Sequence, residues 1–441
     1  MPVVTVVVPS LGNRAHLVHD GHVAVVVDPP RDLDLVERAA DEAGVDVVAV
    51  ADTHVHNDYV SGGLALARRH GADYLLSADE RVCFERVGVR GGDTVTYGGV
   101  ALEVLATPGH TRHHQSFLAR VAGEPDALLS GGSLLLGTVG RTDLVDPRLA
   151  LHLAGEQWES ARTQLALASS TRLLPTHGFG SFCAATSVRS DGDATVGGQQ
   201  DHPALRSGRT EFAARLVAGF GPVPAHYAHM DPVNRAGAGM PRPARAVTSS
   251  DVAAAIADGR WVVDVRDRAA HAAGHLAGTV GVEYGDQFAT YVGWLVPWGE
   301  ELLLLADDPA HLDGAVRDLA GIGIEGVGVH VLDRLDEPAA SFRRADWSAY
   351  AADSSPKVVV DVRQRDEYAE GHLPGALHVP VQEVERSVAS LPPGELWVHC
   401  RSGYRAGIAA SLLHRHDRQV VHLDDQWVRV AELGLQTTRA A

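Results

Sequence analysis

Valine-rich runs alternate with a helical pattern near the start of the chain. The runs VVTVVV (3–8), HVAVVVDPP (22–30) and VDVVAVADTH (45–54) predict strands, because β-branched residues favour extended backbone. Between the last two, DLDLVERAADEAG (32–44) has apolar residues at helical spacing and ends at a glycine, which predicts a helix. The region up to residue 230 is therefore expected to be mixed α/β.

A change in composition marks the end of this region. After a helical run at 210–218, proline, glycine and alanine without periodicity predict a linker over 231–247. Beyond it, DVR (264–266) and GHL (274–276) recur as DVR (361–363) and GHL (371–373) at the same internal offset. A period of about 100 residues is too long for a solenoid and indicates tandem domains.

Composition narrows the class of protein. A length of 441 residues suggests about three domains, and a hydrophobic content of 45% is sufficient for packed cores. The net charge of -18 comes without a basic block, which argues against nucleic acid and anionic membranes as partners.

Cysteine content and the N-terminus bear on the compartment. Three scattered cysteines (Cys83, Cys183 and Cys400) are too few for a disulfide framework, which fits a reducing compartment. The N-terminus lacks the basic region of a signal peptide, and no apolar run reaches about 18 residues. A cytoplasmic protein is expected.

The stretch LWVHCRSGYR (396–405) places a cysteine between a strand-like run and the helical run AGIAASLLHR (406–415). At a helix N-terminus, unpaired backbone N–H groups and the helix dipole favour an anion, and Arg401 and Arg405 add positive charge. The pattern predicts a reactive thiolate at Cys400. The alternative is a buried structural cysteine, but two arginines, a serine and a glycine seldom flank one.

This loop resembles the active-site loop of the rhodaneses, sulfurtransferases whose cysteine carries a sulfane sulfur as a persulfide. The loop CRSGYR has six residues, one fewer than the related phosphatase loop, which favours sulfur over a phosphate ester. The motifs DVR (361–363) and GHLPGA (371–376) extend the resemblance over roughly the last ninety residues. It implies that the catalytic residues are Cys400, Arg401 and Arg405, and that the substrate-binding residues are Ser402, Gly403 and Tyr404.

A second candidate site lies in THVHNDY (53–59), directly after a predicted strand. His54, His56 and Asp58 alternate, so in an extended segment their side chains share a face and can converge on one point. Two imidazoles and a carboxylate are typical metal ligands.

Two further histidines follow strand-like runs at turns marked by proline or glycine. These are His110 in TPGHT and His177 in LPTHG, where a loop can present a side chain at a sheet edge. For one histidine alone, a hydrogen-bonded structural role is the simpler interpretation. The whole set favours a metal site.

The pattern His-x-His-x-Asp followed by two turn histidines resembles the metallo-β-lactamase fold, an αββα sandwich with one or two metals at the edge of its sheets. Within that superfamily, TH (53–54), TPGH (107–110) and GRTD (140–143) resemble the persulfide dioxygenases, which are close to glyoxalase II. Those enzymes use one iron bound by two histidines and an aspartate. The resemblance places the two histidines on His54 and His110.

Two positions depart from this pattern. Gly132 stands where the family has its aspartate ligand, and Tyr59 stands where the wider fold usually has a histidine. Three histidines suit zinc as well as iron. The sequence therefore predicts a mononuclear iron or zinc site of reduced affinity built on His54, His56 and His110, lined by Asp58 and His177. Dioxygenase activity is expected to be low unless Gly132→Asp restores a carboxylate.

The middle repeat lacks the chemistry of the last one. Aligning GEELLLLADDPAH with GELWVHCRSGYR puts Ala306 opposite Cys400 and His311 opposite Arg405, with Asp307 and Asp308 in the loop. An inactive rhodanese-like domain is expected. The apolar stretch YVGWLVPWGEELLLL (291–305) predicts buried core, or else a contact between domains or between copies of the chain.

The expected architecture is an αββα metallo-β-lactamase domain (1–230), a linker (231–247), an inactive rhodanese-like domain (248–345) and an active rhodanese domain (346–441). The expected function is a sulfurtransferase of persulfide and sulfide metabolism acting on a persulfide, thiosulfate or sulfite. The alternative is a sulfur carrier that delivers persulfide sulfur to a partner protein, with the N-terminal domain as a non-catalytic scaffold.

Overall fold

The computed structural model describes residues 2–178, 181–185, 194–332 and 339–439. The chain divides into two compact units, Met1–Arg242 with Arg317–Glu325, and Pro243–Val316 with Gly326–Ala441. Among the described residues, no helix is both long enough and apolar enough to span a membrane.

The first unit opens with a six-stranded sheet in which neighbouring strands follow chain order. The first three strands are antiparallel, and the third to sixth are parallel. The strands are β1 Val3–Val8, β2 Asn13–His19, β3 Val23–Val27, β4 Asp46–Ala51, β5 Asp73–Ser77 and β6 Val87–Val89. Two helices belong to this layer, α1 Leu33–Ala43 and α2 Gly63–His70.

Residues at both ends of helix α1 account for the bounds that the sequence predicts. The Asp32 side chain accepts a hydrogen bond from the Asp34 N–H and caps the start of the helix. Gly44 ends it with a left-handed φ of 67°, a conformation that glycine adopts without steric cost. Its buried face, which includes Leu33 and Val36, packs against the first sheet.

A second sheet has the order β13-β10-β9-β8-β7. Its strands, together with a short hairpin (β11 and β12), are β7 Thr94–Tyr97, β8 Val100–Ala106, β9 Gln115–Val121, β10 Ala127–Gly131, β11 Leu134–Leu135, β12 Thr138–Val139 and β13 Arg172–Pro175. The helices that follow are α3 Ala150–Leu165, α4 Pro203–Arg206, α5 Arg209–Ala218 and α6 Tyr227–Ala236.

The two sheets of the first unit pack face to face. One buried cluster joins Val25, Ala49 and Leu75 of the first sheet to Val104 and Phe117 of the second. Helices α1 and α2 cover the outer face of the first sheet, and α3 and α5 cover the outer face of the second. The unit is therefore an αββα sandwich, as the sequence predicts.

The second unit contains two five-stranded parallel sheets. Its elements up to the first sheet's last strand are β14 Arg245–Ala246, α7 Ser249–Ala257, β15 Trp261–Asp264, α8 Arg268–Ala273, β16 His275–Leu276, β17 Val280–Gly281, α9 Phe288–Leu295, β18 Leu302–Ala306, α10 Pro309–Gly321 and β19 Gly328–Val331. The part of α10 from Arg317 onwards belongs to the first unit. The remaining elements are β20 Ala339–Ala340, β21 Arg343–Ala345, α11 Trp347–Ala352, β22 Val358–Asp361, α12 Arg365–Glu370, β23 Leu377–His378, α13 Val384–Ser387, β24 Leu396–His399, α14 Tyr404–Arg415, β25 Val420–Leu423 and α15 Val428–Glu432.

The two sheets of this unit have the same topology. Their strand orders are β14-β19-β18-β15-β17 and β21-β25-β24-β22-β23, so the first strand lies at one edge and the third at the other in both. All strand pairs in both sheets are parallel. This shared topology is the structural counterpart of the repeated sequence motifs.

Two expectations about segments between domains can be compared with the structure. The segment 231–247, expected to be a linker, starts inside α6, where the Asn234 side-chain amide donates to the carbonyls of His56 and Tyr59. In the apolar stretch 291–305, Tyr291 is buried in α9, whereas Trp298 is 37% exposed. Buried core therefore accounts for part of that stretch.

Candidate metal centre and cysteine loop

The candidate metal ligands of the first unit lie at the carboxyl ends of strands. The segment 52–59 follows β4, and one residue, Thr176, separates His177 from the end of β13. His110 follows β8, which runs in the same direction as β10 and β13. Strands that point the same way bring their following loops to one edge of the sandwich, so distant parts of the sequence meet there.

Five side-chain atoms converge at this edge. The residues that carry them are at most 3% exposed, and within the described residues these atoms have no hydrogen-bond partner. They are His54 Nε2, His56 Nδ1, Asp58 Oδ1, His110 Nε2 and His177 Nε2. Buried polar atoms are normally paired, so a group of five unpaired donor atoms fits a bound metal ion.

The ligand-type atoms form three overlapping groups, the third of which consists of Asp28, Asp52 and His56. The ligand atoms of His54, His110 and His177 all lie within 4.8 Å of one another, and so do those of His56, Asp58 and His177. The segment 52–59, which carries His54, His56 and Asp58, bends after β4 instead of continuing as a strand. Convergence therefore comes from the loop conformation and not from strand alternation.

The second ring nitrogen of three of these histidines faces a hydrogen-bond acceptor. His54 Nδ1 lies 2.9 Å from Thr53 Oγ1, and His110 Nδ1 lies 2.7 Å from the Arg141 carbonyl. His177 Nδ1 lies 3.0 Å from Asn13 Oδ1. Such partners fix the orientation of a metal-binding imidazole. Burial lowers the pKa of His110 to about 3, so its ring is neutral and can act as a ligand.

His56 is held differently, through Nε2. This nitrogen lies 3.2 Å from Asp28 Oδ1 and 3.0 Å from the Tyr59 hydroxyl. Although burial opposes a charged ring, the carboxylates of Asp28 and Asp52 raise the pKa of His56. Burial raises the pKa of Asp52 to about 6. Tyr59, which stands where the wider fold usually has a histidine, thus serves as a partner of His56.

Gly132 lies directly against the His110 ring. A Cβ atom added at Gly132 would lie 2.2 Å from His110 Cδ2 and 2.6 Å from His110 Nε2. The imidazole therefore occupies the space that a carboxylate at this position would need. For this reason the expectation that Gly132→Asp simply restores the family's ligand is not supported by the packing.

Several residues around the centre were not found from the sequence. The Asn13 side chain links two ligands, because its amide donates to Asp58 Oδ2 at 2.8 Å while its oxygen faces His177. The Asp28 side chain accepts a hydrogen bond from the Thr53 N–H at 2.7 Å, and the backbone of Asp28 has a left-handed φ of 53°. Asp28 directly follows β3 just as Asp52 directly follows β4, and this position after a strand was the one sequence signal for Asp28. No sequence signal indicated the role of Asn13.

His114 is a fifth buried histidine beside the centre, but both of its ring nitrogens have protein partners. Nδ1 lies 2.8 Å from Thr107 Oγ1, and Nε2 accepts from the Gly132 N–H at 3.0 Å. It therefore supports the site without offering a ligand atom.

Cys183 is also buried nearby, where its thiol interacts with Asp58 and Tyr227, and burial raises its pKa well above the usual value.

A cavity of about 340 Å³ adjoins the centre. It is lined by Val55, which lies between His54 and His56 in the sequence, and by Thr111, which follows His110. Arg81, Arg112 and Arg235 contribute positive charge to its wall, and Arg235 pairs with Glu80 at 2.5 Å. Asp79, Glu80 and Asp231 also line it, so its wall carries charges of both signs and is suited to a small polar molecule.

Cys400 directly follows β24 in the second unit, at the loop that leads into α14. Its Sγ accepts a hydrogen bond from the Gly403 N–H at 3.2 Å, as expected for a sulfur at a helix N-terminus. Gly403 has a φ of 91°, and a Cβ at this position would lie 2.0 Å from Asp424 Oδ1. Glycine is thus required for the backbone to turn towards the sulfur.

The two arginines of this loop have different environments. Arg405 forms a two-pronged ion pair with Glu367, with distances of 2.5 and 2.9 Å, and both side chains are largely buried. Burial opposes the charge of Arg405, but Glu367 outweighs it and raises the pKa of the guanidinium. Arg401 is exposed. Arg405 therefore acts on the loop with its charge partly offset.

Tyr404 connects the loop to the preceding repeat. Its hydroxyl donates to the Glu283 carbonyl at 2.7 Å, and its ring centroid lies 5.6 Å from that of Tyr291 in α9. Burial raises the pKa of Tyr291 to about 12, with smaller influences from Arg405 and Cys400. Arg268 bridges the carboxylates of Glu283 and Asp424. The middle repeat thus contributes residues beside Cys400, and for Tyr291 this is the contact between domains that the sequence offered as the alternative for the stretch 291–305.

The repeated DVR motif has the same structure in both copies. Arg363 Nε donates to Asp361 Oδ1 at 2.9 Å, and its Nη2 donates to the Gly371 carbonyl at 2.7 Å. In the middle copy the matching distances, from Arg266 to Asp264 and to Gly274, are 3.0 and 2.8 Å. The motif is therefore a structural clamp between a strand and the glycine of GHL.

Strand registers identify the position equivalent to Cys400. Asp361 pairs with His399, and the equivalent Asp264 pairs with Leu305. The next residues are Cys400 and Ala306, so the middle repeat has alanine at the cysteine position.

Comparison with known sequences adds the family of the last repeat. The sequence model described as "Rhodanese-like domain" matches residues 345–433. A curated relative, the hydroxyacylglutathione hydrolase of Synechococcus sp. (strain JA-3-3Ab), is 35% identical over 134 residues, which cover 29% of this chain and 52% of the relative. The chain thus spans about half the length of the curated relatives it matches.

Comparison with solved structures covers more of the chain. A metallo-β-lactamase from Staphylococcus aureus subsp. aureus COL is 26% identical, with a TM-score of 0.66 over 75% of this chain and 98% of that chain. ETHE1 from Myxococcus xanthus is 27% identical, with a TM-score of 0.45 over 54% of this chain and 99% of that chain.

These similarities define the class of protein. The chain joins an N-terminal domain of the metallo-β-lactamase and glyoxalase II type to a C-terminal rhodanese domain. The histidine and aspartate groups of the N-terminal domain could hold a metal ion.

Proposed function

We propose that the protein is a sulfurtransferase of persulfide and sulfide metabolism in which Cys400 carries sulfane sulfur. The observation that carries the proposal is the Gly403 N–H that points at Cys400 Sγ from 3.2 Å, within a rhodanese-like domain. Backbone N–H groups at a helix N-terminus stabilise a thiolate and the anionic persulfide that it becomes.

The proposed transfer has two balanced steps. The Cys400 thiolate attacks the sulfane sulfur of thiosulfate, the S–S bond breaks, and sulfite leaves with the electron pair. A thiolate or sulfite acceptor then attacks the terminal sulfur of the Cys400 persulfide and releases the cysteine as a thiolate. Arg401 and Arg405 attract the anionic donor, while the loop amides hold the charged sulfur.

The N-terminal domain is proposed to act on a persulfide as a persulfide dioxygenase-like partner of the Cys400 site. One bound iron would supply redox and Lewis-acid chemistry there, and zinc would supply only the latter. Arg81 and Arg112, in the wall of the cavity that Val55 and Thr111 also line, would contact the anionic sulfur of a persulfide. Two sites in one chain raise the effective concentration of one site's product at the other.

The middle repeat is proposed to be an inactive rhodanese-like domain. It has the same strand order as the last repeat and alanine at position 306, and it supplies Tyr291 beside the Cys400 loop. The proposed partners are small sulfur compounds in the cytoplasm and a second copy of this chain, and neither nucleic acid nor a membrane is proposed as a partner.

A second candidate function is that of a sulfur carrier. In this alternative Cys400 passes its sulfur to a partner protein, and the N-terminal domain is a scaffold without catalysis. The observation that favours it is Gly132, which leaves the metal centre without the family's carboxylate. Metal content separates the two, because a scaffold has no need of a stoichiometric ion.

The test of the proposal is sulfur transfer by wild type and Cys400→Ser. Wild type should transfer sulfur from thiosulfate to cyanide and gain the mass of one sulfur atom after exposure to the donor. Cys400→Ser should do neither, whereas Cys83→Ser, an exposed cysteine in the first unit, should match wild type. Transfer at the wild-type rate by Cys400→Ser would contradict the proposal.

A further inference from the structure

We propose that His177 replaces the missing carboxylate, so that one divalent ion is held by Nε2 of His54, His110 and His177. The inference rests on the proposal that the N-terminal domain holds a metal and is independent of sulfur transfer at Cys400. It differs from the sequence expectation, in which His56 completed the set and His177 only lined the site.

The three rings are arranged as an ion would require. Their centroids are 4.9, 5.3 and 5.7 Å apart, and the rings are inclined to one another by 78°, 64° and 70°. A metal–nitrogen bond is about 2.1 Å, and the ring centroid lies about 1 Å beyond the nitrogen, so tetrahedral angles put the centroids roughly 5 Å apart. The observed spacing is therefore close to that of a three-histidine site.

Each of these rings is also held in the tautomer that a ligand needs. Thr53 Oγ1 donates its own hydrogen to Asp28, so it can only accept from His54 Nδ1. Asn13 uses its amide nitrogen on Asp58, which leaves its oxygen to accept from His177 Nδ1. The hydrogen on Nδ1 leaves a lone pair on Nε2, which has no other partner in the described part of the chain.

Two glycines fix the position of His110. A Cβ at Gly140 would lie 2.6 Å from His110 Nδ1, and a Cβ at Gly132 would lie 2.2 Å from Cδ2. The ring is thus accommodated between two backbones that have no side chains. This packing explains Gly132 as a requirement of the ring position, since a carboxylate and this ring cannot occupy the same space.

The other set that uses His177 is His56, Asp58 and His177. One imidazole nitrogen binds one ion, so His177 can serve only one of the two sets. The centroids of His56 and His177 are 6.3 Å apart, which exceeds the separation of about 5 Å expected around one ion. His56 also packs against Tyr59, with ring centroids 4.3 Å apart, while Nε2 faces Asp28. The geometry favours the three-histidine set.

The first measurement is zinc affinity of the full chain, stripped with a chelator and titrated against a chromophoric competitor. Wild type should bind one equivalent. His177→Ala and His110→Ala should each weaken binding more than about 100-fold, which exceeds the usual effect of residues that only orient ligands. His56→Gln should weaken it less than about tenfold. Asn13→Ala, which removes the partner of His177, should fall between these limits.

His202→Gln is the matched control. This buried histidine of the same unit has partners at both ring nitrogens, the Thr138 carbonyl and the Ala204 N–H. It should bind zinc as wild type does, and circular dichroism should confirm that every variant is folded. A loss of affinity in His202→Gln as large as that in His177→Ala would assign the effect to folding and overturn the proposal.

The second measurement counts imidazole ligands by zinc X-ray absorption. Wild type and His56→Gln should show three, and His177→Ala should show two. Gly132→Asp should bind zinc more weakly than wild type, because its side chain displaces His110. Unchanged coordination in His177→Ala, or a lost imidazole in His56→Gln, would overturn the assignment.

A failure of this assignment can be told apart from a failure of the proposed function. Wild type that takes up no zinc would overturn both this assignment and the metal role proposed for the N-terminal domain. Sulfur transfer is measured on the same preparations, and a protein that binds zinc through these histidines yet transfers no sulfur contradicts only the function proposed for Cys400.

Discussion

The Arg405 guanidinium belongs to the Cys400 loop, where it would attract an anionic donor, but it is also paired with the Glu367 carboxylate. Glu367→Gln keeps the shape of the side chain but removes the opposing charge. We expect the KM for thiosulfate to fall several-fold, since the anionic donor then meets an uncompensated cation. Steady-state kinetics at fixed ionic strength measures this.

Arg405→Ala is the matching change of opposite sign. It removes the cation and leaves the largely buried Glu367 without its partner, so kcat/KM should fall at least about tenfold. A rise in KM in both variants would show that the ion pair acts only by shaping the loop.

His16 gives the first unit a pH dependence. Burial lowers its pKa to about 4, although Nε2 faces the Pro175 carbonyl at 3.2 Å. Between about pH 6.5 and 4 the unfolded chain binds a proton at His16 that the folded chain does not, so stability falls as pH falls through this window. His16→Gln should reduce that slope by up to about 1.4 kcal/mol per pH unit.

Hydrogen exchange of the β2 amides, corrected for intrinsic rates, measures the slope for this unit alone. Thr5→Val is the control, because it removes the hydroxyl 3.2 Å from His16 Nδ1 but keeps the titrating ring. The same slope in His16→Gln and wild type would assign the acid sensitivity to other buried groups.

Motifs and tertiary partners differ in how far the sequence predicts them. Cys400 and the five metal-ligating candidates occur in short motifs whose residue types state their chemistry, so they could be named in advance. Asn13 could not, because its role exists only once β2 and the loop after β13 are neighbours in space. The choice between His56 and His177 likewise depends on ring positions and not on spacing.

Strands and helices followed from the sequence where both pattern and boundary signals were present. The run predicted at 3–8 is β1, and the helix predicted at 32–44 is Leu33–Ala43, because Asp32 and Gly44 supply both caps. The segment after β4 was expected to stay extended, yet it bends at residues whose polar side chains compete with strand pairing. Periodicity gives no information about the conformation of a loop that is determined by its buried side chains.

Helix α9 belongs to the middle repeat but places Tyr291 beside the Cys400 loop. Tyr291→Ala should open the loop to water and lower kcat/KM for sulfur transfer by about tenfold, because desolvation strengthens the electrostatic stabilisation of a charged sulfur. Tyr291→Phe should have a smaller effect if packing dominates. Tyr350→Phe, a half-buried tyrosine of the last repeat, is the control. Wild-type kinetics in Tyr291→Ala would show that α9 does not contribute.

The two repeats of the second unit keep the same framework and differ in chemistry. Strand order, the Asp–Arg clamp and the approach to the GHL glycine are shared, and all of these features fix the backbone. The differences are concentrated in the loop after the fourth strand, where Ala306, Asp307 and Asp308 replace a cysteine, an arginine and a serine. The framework is thus shared by the two repeats, whereas the residues at the Cys400 loop are not.

The middle loop therefore should not regain activity from a cysteine alone. In a Cys400→Ser background, Ala306→Cys places a thiol at the end of β18, but Asp307 and Asp308 would repel both a thiolate and an anionic donor, and His311 stands where Arg405 would be. We expect thiosulfate-dependent transfer to remain at the level of Cys400→Ser, measured with cyanide as acceptor. Adding Asp307→Arg and Asp308→Ser should raise it, because these changes replace two negative charges with one positive charge at the start of α10. Transfer above about a tenth of the wild-type rate by Ala306→Cys alone would show that the loop charges do not limit the reaction.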